Sequence, residues 1–164
     1  TRNVVGSMDY TPVTFTNSQY PHITSYGHEL ALSVVFESGI QHMADRPEGY
    51  LLLPDAAKSF LRVVPSAWDN TKFLDGYPGK DVVIGRQKGD AWYIGGINSE
   101  NIEKTKTLTF NYLPVGLKYK LTLIADGKHD KDFETNYMVV DKSSTIEVKM
   151  LRRGGFAASL IPIK

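Results

Sequence analysis

The stretch KDVVIGRQKGDAWYIGGIN, residues 80–98, decides how this chain folds. Two runs rich in β-branched and aromatic residues, KDVVIGRQ (80–87) and AWYIGGIN (91–98), flank Lys88-Gly89-Asp90. A short glycine-bearing gap between such runs predicts a β-hairpin. In the second run Trp92 and Tyr93 are neighbours, so a strand sends them to opposite faces. One must enter a core, and the other meets either a second layer or solvent. Gly95 and Gly96 have no phosphate-loop spacing and no helix after them, so they read as close packing or a bulge.

Downstream the same grammar repeats. KTLTFNYL (106–113), YKLTLIAD (119–126), NYMVVDK (136–142), STIEVKML (144–151) and GFAASLIPI (155–163) are short strands set apart by turns. Leu108 and Phe110 alternate with Thr107, Thr109 and Asn111; Ile146 and Val148 alternate with Thr145, Glu147 and Lys149. Period-two alternation means one face buried and one wet. Many short strands in about 100 residues predict an antiparallel β-sandwich over residues 65–164.

Upstream of Pro65 the pattern changes. Val4-Val5, closed by Gly6, reads as a short buried strand, and a polar loop follows to about Ser25. HELALSVVFES (28–38) has helical periodicity. Glu29, Ser33 and Glu37 form a wet stripe, and Leu30, Ala31, Leu32, Val34, Val35 and Phe36 an apolar remainder. Gly39 is positioned to end this helix, and IQHMA (40–44) then reads as a second buried strand. The alternative is one helix over about 28–44, because glycine alone is a weak breaker. RPEGY (46–50) is a breaker cluster, and PDAAKSFLRVV (54–64) a second helix with Pro54 at its start. Strand, loop, helix, strand, loop, helix is the grammar of parallel α/β units.

Composition narrows the classes. Nineteen basic residues against eighteen acidic ones leave a net charge of +1, no footprint for nucleic acid or an anionic membrane. The chain has no cysteine, which excludes disulfides, thiol nucleophiles and thiolate zinc sites. LALSVVF (30–36) is far shorter than the ~20 residues of a membrane span.

If Val4-Val5 is a barrel strand, SMDYTP (7–12) lies at its C-terminal end, where barrel enzymes carry their sites. Asp9 could then accept hydrogen bonds from sugar hydroxyls and Tyr10 could stack on a ring; the plain alternative is a connecting loop. Asp45 holds the matching place after the second strand, or is a turn aspartate ahead of Arg46-Pro47. Glu29 and Glu37 lie two turns apart on the wet stripe, roughly 12 Å by helical rise, too far for the usual acid–base pair. His42 reads as packed within its strand. DGKHDKD (126–132) reads as a solvated turn, not a calcium loop, since Lys128 and Lys131 interrupt it.

TRNVVGSMDYTPVTF (1–15), HELALSVVFESGIQHMAD (28–45), VPSAWDNTKFLDGYPGKDVVIGRQKGDAWYIGGIN (64–98) and LTLIADG (121–127) occur in this order. Together they resemble the C-terminal portion of glycoside hydrolase family 97, exo-acting α-glucosidases and α-galactosidases of Bacteroides-type bacteria. The resemblance implies an α+β chain: residues 1–64 as the last two βα units of a (β/α)8 barrel, residues 65–164 as the C-terminal sandwich. It implies a parent enzyme that hydrolyses α-linked galactose or glucose in an oligosaccharide. Its calcium and its catalytic residues would lie upstream, in a motif of the form E-G-x-R-G-x-E that this chain lacks. The chain alone would be inactive and without a cofactor. Met8, Asp9, Tyr10 and Asp45 become candidate cleft residues, none of them catalytic. The resemblance also implies a periplasmic location. On this reading the chain is cut from a larger enzyme and its sandwich buttresses the barrel. The apolar faces around Leu32, Val35, Phe36 and Ile40 would stand uncovered or meet another copy, a homo-oligomer contact through exposed barrel elements. A carbohydrate-binding module using an exposed Tyr93 or Tyr112 is the alternative.

Overall fold

The computed structural model describes residues 2–7, 9–11, 13–17 and 21–163. Four helices come first: α1 (Arg2–Val5), α2 (Tyr26–Val35), α3 (Pro47–Leu51) and α4 (Asp55–Val63). Eight strands follow: β1 (Asn70–Tyr77), β2 (Asp81–Lys88), β3 (Ala91–Asn98), β4 (Lys104–Thr109), β5 (Tyr119–Asp126), β6 (Phe133–Val140), β7 (Thr145–Met150) and β8 (Gly155–Pro162). They form an antiparallel six-stranded sheet, β1-β2-β3-β8-β5-β6, and a two-stranded one, β4-β7.

The two sheets enclose the larger core. Trp92 and Ile94 of β3, Leu121 and Leu123 of β5, and Phe156, Ala158 and Leu160 of β8 meet Leu108, Val148 and Met150 of the small sheet. Intervening residues on the same strands, Tyr93, Ile124 and Ala157, enter a second core with Leu30, Val34, Ala57 and Phe60 of the helices. The expected antiparallel sandwich is therefore present, and its large sheet is covered on both faces. Strands buried on both sides read as continuous apolar runs, while those with one wet face alternate. Central β3 is buried from Trp92 to Gly96, whereas β4 and β7 alternate.

α2 lies directly on β3 and β8; Gly95 lets it seat, while Gly96 makes room for Phe156 on the other face of the sheet. A Cβ on Gly95 would come within 2.9 Å of the Ala31 carbonyl oxygen and of Val35 Cγ2, and one on Gly96 would overlap the Phe156 ring. Ser25 caps the helix start, accepting from the His28 amide at 3.0 Å. Arg86 closes the other end from inside the sheet. Its side chain is fully buried and donates to the Val34 and Val35 carbonyls at 2.7 and 3.2 Å. Those are the orphan acceptors that a C-terminal glycine motif would otherwise serve.

Several local expectations fail for physical reasons. Arg2–Val5 is one helical turn, not a strand, with Val5 exposed. A strand needs a neighbour for its backbone groups, and among the described residues the parallel contact here is one bridge, Tyr10 to Gln41. For the same reason residues 40–44 form no named strand, and His42 is exposed rather than packed. α2 ends at Val35, four residues before Gly39, because Arg86 takes its last carbonyls; the single helix over 28–44 is equally absent. The wet stripe is not wet: Ser33 is fully buried and donates to the Leu30 carbonyl at 2.7 Å. Leu32 and Val35 are buried, Val35 against Gly95 of the sheet, while Ile40 is exposed. RPEGY contributes a short helix, α3, rather than a break. β1 has no counterpart in the sequence reading. It is a charged edge strand with a bulge between Phe73 and Asp75, and Gly76 sits there at φ +137°.

Candidate functional site

The N-terminal loop folds over the start of α2. Glu29, in the first turn, accepts from Thr24 Oγ1 at 2.7 Å and from the Thr14 amide. His22 bonds Thr14 Oγ1 at 2.7 Å through Nε2 and Asn17 Oδ1 at 2.9 Å through Nδ1. Burial pushes the Glu29 carboxyl up, against the lowering effects of Thr24, His22 and the Thr14 amide. Glu29 is thus half-buried and engaged, not on a solvated face. Between Thr14 and the preceding loop, Val13 has φ +70°, a left-handed conformation that costs a β-branched residue about 1–3 kcal/mol. Tyr50 holds it there, its hydroxyl donating to the Val13 carbonyl at 2.7 Å.

Asp45 is the second anchor of this loop. It accepts from the Phe15 amide at 2.6 Å, the Thr16 amide at 2.9 Å, Thr16 Oγ1 at 2.5 Å and the Arg46 amide at 2.9 Å. Burial opposes ionisation, but these donors prevail and hold the carboxyl below its ordinary range. A carboxylate with four donors ties segments together. This realises the turn-aspartate reading and adds a link 30 residues back to Phe15. Tyr10 is half-buried, its ring edge-on to Phe36 with centroids 4.9 Å apart. Burial, then the charge of Glu29, raises its hydroxyl pKa. Asp9 is exposed. Met8 lies outside the described residues. The structure therefore sets Tyr10 beside Glu29 and ties Asp45 to Phe15 and Thr16. Glu29, expected on a solvated face, and His22, expected in no metal pair, are both drawn into this loop.

Beside this loop lies a cleft of about 460 Å3, lined by Phe15, Thr16, Tyr26, Arg46, Lys131 and Phe133 among others. Its aromatic floor is a cluster, with Phe15 edge-on to Tyr26 at 5.3 Å and Phe133 6.1 Å from Tyr26. The Tyr26 hydroxyl donates to the Phe15 carbonyl.

Asp126, expected in a solvated turn, is buried at the sheet end. It accepts from Ser25 Oγ and from the Leu151 and Gly155 amides at 2.8 Å each. Burial raises its carboxyl pKa despite these donors. Asp75 and Asp81 are taken by Lys106, and Asp81 also by Lys104. Among the described residues no three His, Asp or Glu side chains gather to hold a metal ion. No described helix is long and apolar enough to cross a membrane. The two aromatics named for sugar stacking are both packed: Tyr93 against Phe60 and Trp68, and Tyr112 against Trp92 at 4.7 Å.

Comparison with known proteins completes the picture. The family model described as "Glycosyl-hydrolase 97 C-terminal, oligomerisation" matches residues 67–161. A probable retaining α-galactosidase of Streptomyces bingchenggensis is 39% identical over 96% of this chain and 24% of its own length. A retaining α-galactosidase of Bacteroides thetaiotaomicron is 32% identical over 97% of this chain and 26% of its own. A glycoside hydrolase family 97 enzyme from Pseudoalteromonas sp. strain K8, solved with panose, superposes with a TM-score of 0.91 at 28% identity, over 97% of this chain and 27% of that one. The chain thus spans about a quarter of the relatives it matches. With its residues 67–161 matched to that model, the chain belongs to the glycosyl-hydrolase 97 C-terminal family.

Proposed function

We propose that this chain is the C-terminal part of an exo-acting α-glycosidase that releases α-linked galactose or glucose from oligosaccharides. In this reading residues 1–64 close the catalytic (β/α)8 barrel. Residues 65–164 are the sandwich that buttresses the barrel and mediates self-association. Acid, base or nucleophile, and calcium, belong to the remainder of the enzyme, which would work in the periplasm. Met8, Asp9, Tyr10 and Asp45 wall the substrate cleft, Asp45 by fixing the loop and Tyr10 by contact.

One observation carries the proposal. The family model begins at residue 67, yet the likeness to family 97 enzymes extends over 96–97% of the chain. Residues ahead of the sandwich thus align with enzyme sequence outside the C-terminal family. Two structural features support it. The bridge between Tyr10 and Gln41 is parallel, as neighbouring barrel strands would be. An apolar groove of about 300 Å3, lined by Val4, Val5, Phe36, Phe73 and Val82 among others, is where further barrel elements would pack. The packed state of Tyr93 and Tyr112 gives no support to a binding module.

The test is turnover of p-nitrophenyl α-galactoside and α-glucoside. The chain alone is expected to be inactive, and a polypeptide joining it to the upstream barrel active. In that longer protein Tyr10→Ala should raise KM. Hydrolysis by the isolated chain that is lost on Asp9→Ala would refute the assignment of catalysis to other residues.

A further inference from the structure

The large sheet has two edges, and they are built differently. Exposed edges invite pairing with another chain unless they are bulged, charged or covered. β1 is guarded. It bulges between Phe73 and Asp75, turns at Gly76, carries Lys72, and has Asp75 held by Lys106 at 2.7 Å. The small sheet is guarded in the same way by Lys104 and Lys106 on β4 and by Glu147 and Lys149 on β7.

β6 has neither a bulge nor, among the described residues, a charge held in an ion pair. Its register with β5 is unbroken from Phe133 to Val140, with no glycine or proline, and Glu134 is its one charged residue. Among the described residues, its backbone makes no hydrogen bond outside the β5 ladder. The face beside this edge is apolar around an exposed Lys120. Tyr137 and Val139 are 63% and 60% exposed, Ile161 is 44% exposed in the same row as Val139 through Lys120, and Val63 at the end of α4 is 59% exposed. α2 and α4 cover Tyr93, Ile124 and Ala157 but stop short of this corner.

We propose that β6 is the self-association edge of this chain, pairing antiparallel with β6 of a second copy about a two-fold axis. The inference rests on the self-association reading above and assigns it a surface. A second copy fits because the strand is self-complementary. Set with Tyr137 of one copy opposite Val139 of the other, the axis repeats the same aromatic–aliphatic pair twice on one face. The two large sheets then become one continuous sheet across the axis. In that register residues 136–140 of the two copies overlap, a seam about 17 Å long. With the flanking apolar corner this stays below about 1,200 Å2, in the range of weak, transient contacts. Weak association that grows with concentration is therefore expected.

Sedimentation velocity of the chain over a wide concentration range tests this, beside the Tyr137→Lys/Val139→Lys double variant and Phe73→Lys in the apolar groove. All three positions are exposed, and circular dichroism confirms folding. The double variant should weaken association roughly tenfold or more, because it sets like charges across the seam. Phe73→Lys should leave it unchanged. Amide exchange in residues 133–140 should slow as the wild-type protein is concentrated. A dimer indifferent to the double variant would refute the β6 edge while leaving self-association standing. Loss on Phe73→Lys alone would move the contact to the groove. A wild-type chain monomeric at every concentration would overturn both readings.

Discussion

Replacing Arg86 with methionine should unfasten α2 from the sheet. The side chain is fully buried and donates from Nε to the Val34 carbonyl at 2.7 Å. Its terminal nitrogens reach Thr71 Oγ1 at 2.9 Å, the Val35 carbonyl at 3.2 Å and the Val4 carbonyl at 3.3 Å. Glu37 lies 3.5 Å away and is partly solvated. Methionine preserves most of the volume and removes every donor. Each buried acceptor left unmatched costs about 1–3 kcal/mol. The lost cation also stood at the negative end of a helix, worth up to ~2 kcal/mol when buried. Removing Arg86 also releases its own burial penalty, which offsets part of this. A net loss of about 3–5 kcal/mol follows, or roughly 6–20 °C in Tm for a chain of this size. Urea titration followed by tryptophan fluorescence measures it, since Trp92 and Trp68 sit in or beside the two cores. Lysine, with one terminal nitrogen, should recover only part of the loss. Glu37→Gln should change stability by less than about 1 kcal/mol, as solvated partners do. An Arg86→Met loss below about 1 kcal/mol would refute the view that this residue closes the helix.

Gly95→Ala should destabilise by about 1–3 kcal/mol, because the new methyl meets backbone and Val35 that cannot both retreat; the urea midpoint should fall, with amide shifts centred on Ala31 and Val35. Burial raises the Asp126 and Glu29 carboxyl pKa values, so their contribution is complete below the unfolded pKa of about 4 and is lost as pH rises through the folded values. Asp45 and Asp81 are lowered by their donors against burial, and their contribution is lost as pH falls. Asp126→Asn should therefore be less stable overall yet lose less stability between acid and neutral pH, and an unchanged pH slope would show that Asp126 does not titrate there.

The strands were legible because alternation and turn residues are local. AWYIGGIN declared its two faces through Trp92 and Tyr93, and each entered its own core. What failed depended on partners. Val4-Val5 carries strand propensity, but with no adjacent strand its backbone closed a helical turn. The helix face containing Ser33 and Glu29 looked wet because nothing local reveals that the polar loop folds back over it. β1 hid behind its charges and its bulge, features that mark an edge and suppress the strand signal. Arg86 was unreadable as a helix cap, since its acceptors lie 51 and 52 residues away. Asp45 was legible as a turn residue, but not as the acceptor for Phe15 and Thr16.

These long-range contacts explain how a sandwich can govern a loop it scarcely touches. α2 is fixed to the large sheet at both ends. Asp126 of β5 takes Ser25 at the N-cap, and Arg86 of β2 takes the carbonyls of Val34 and Val35. Bare backbone at Gly95 lets the middle of the helix seat without a gap. The helix can then neither slide nor rotate without breaking buried polar contacts at one end. Glu29 stands one turn from the Asp126 anchor and holds Thr14 and Thr24. Thr14 fixes His22, and the adjoining Val13 is held by Tyr50 in a conformation it would not adopt alone. Tyr10, three residues before Val13, leans on Phe36 just past the Arg86 anchor. The loop proposed to wall the cleft thus takes part of its position from the sheet through α2, and the rest from Asp45 and Tyr50. Loosening either anchor should displace Tyr10 before it unfolds the sandwich, whose core between the two sheets contains neither Arg86 nor Asp126.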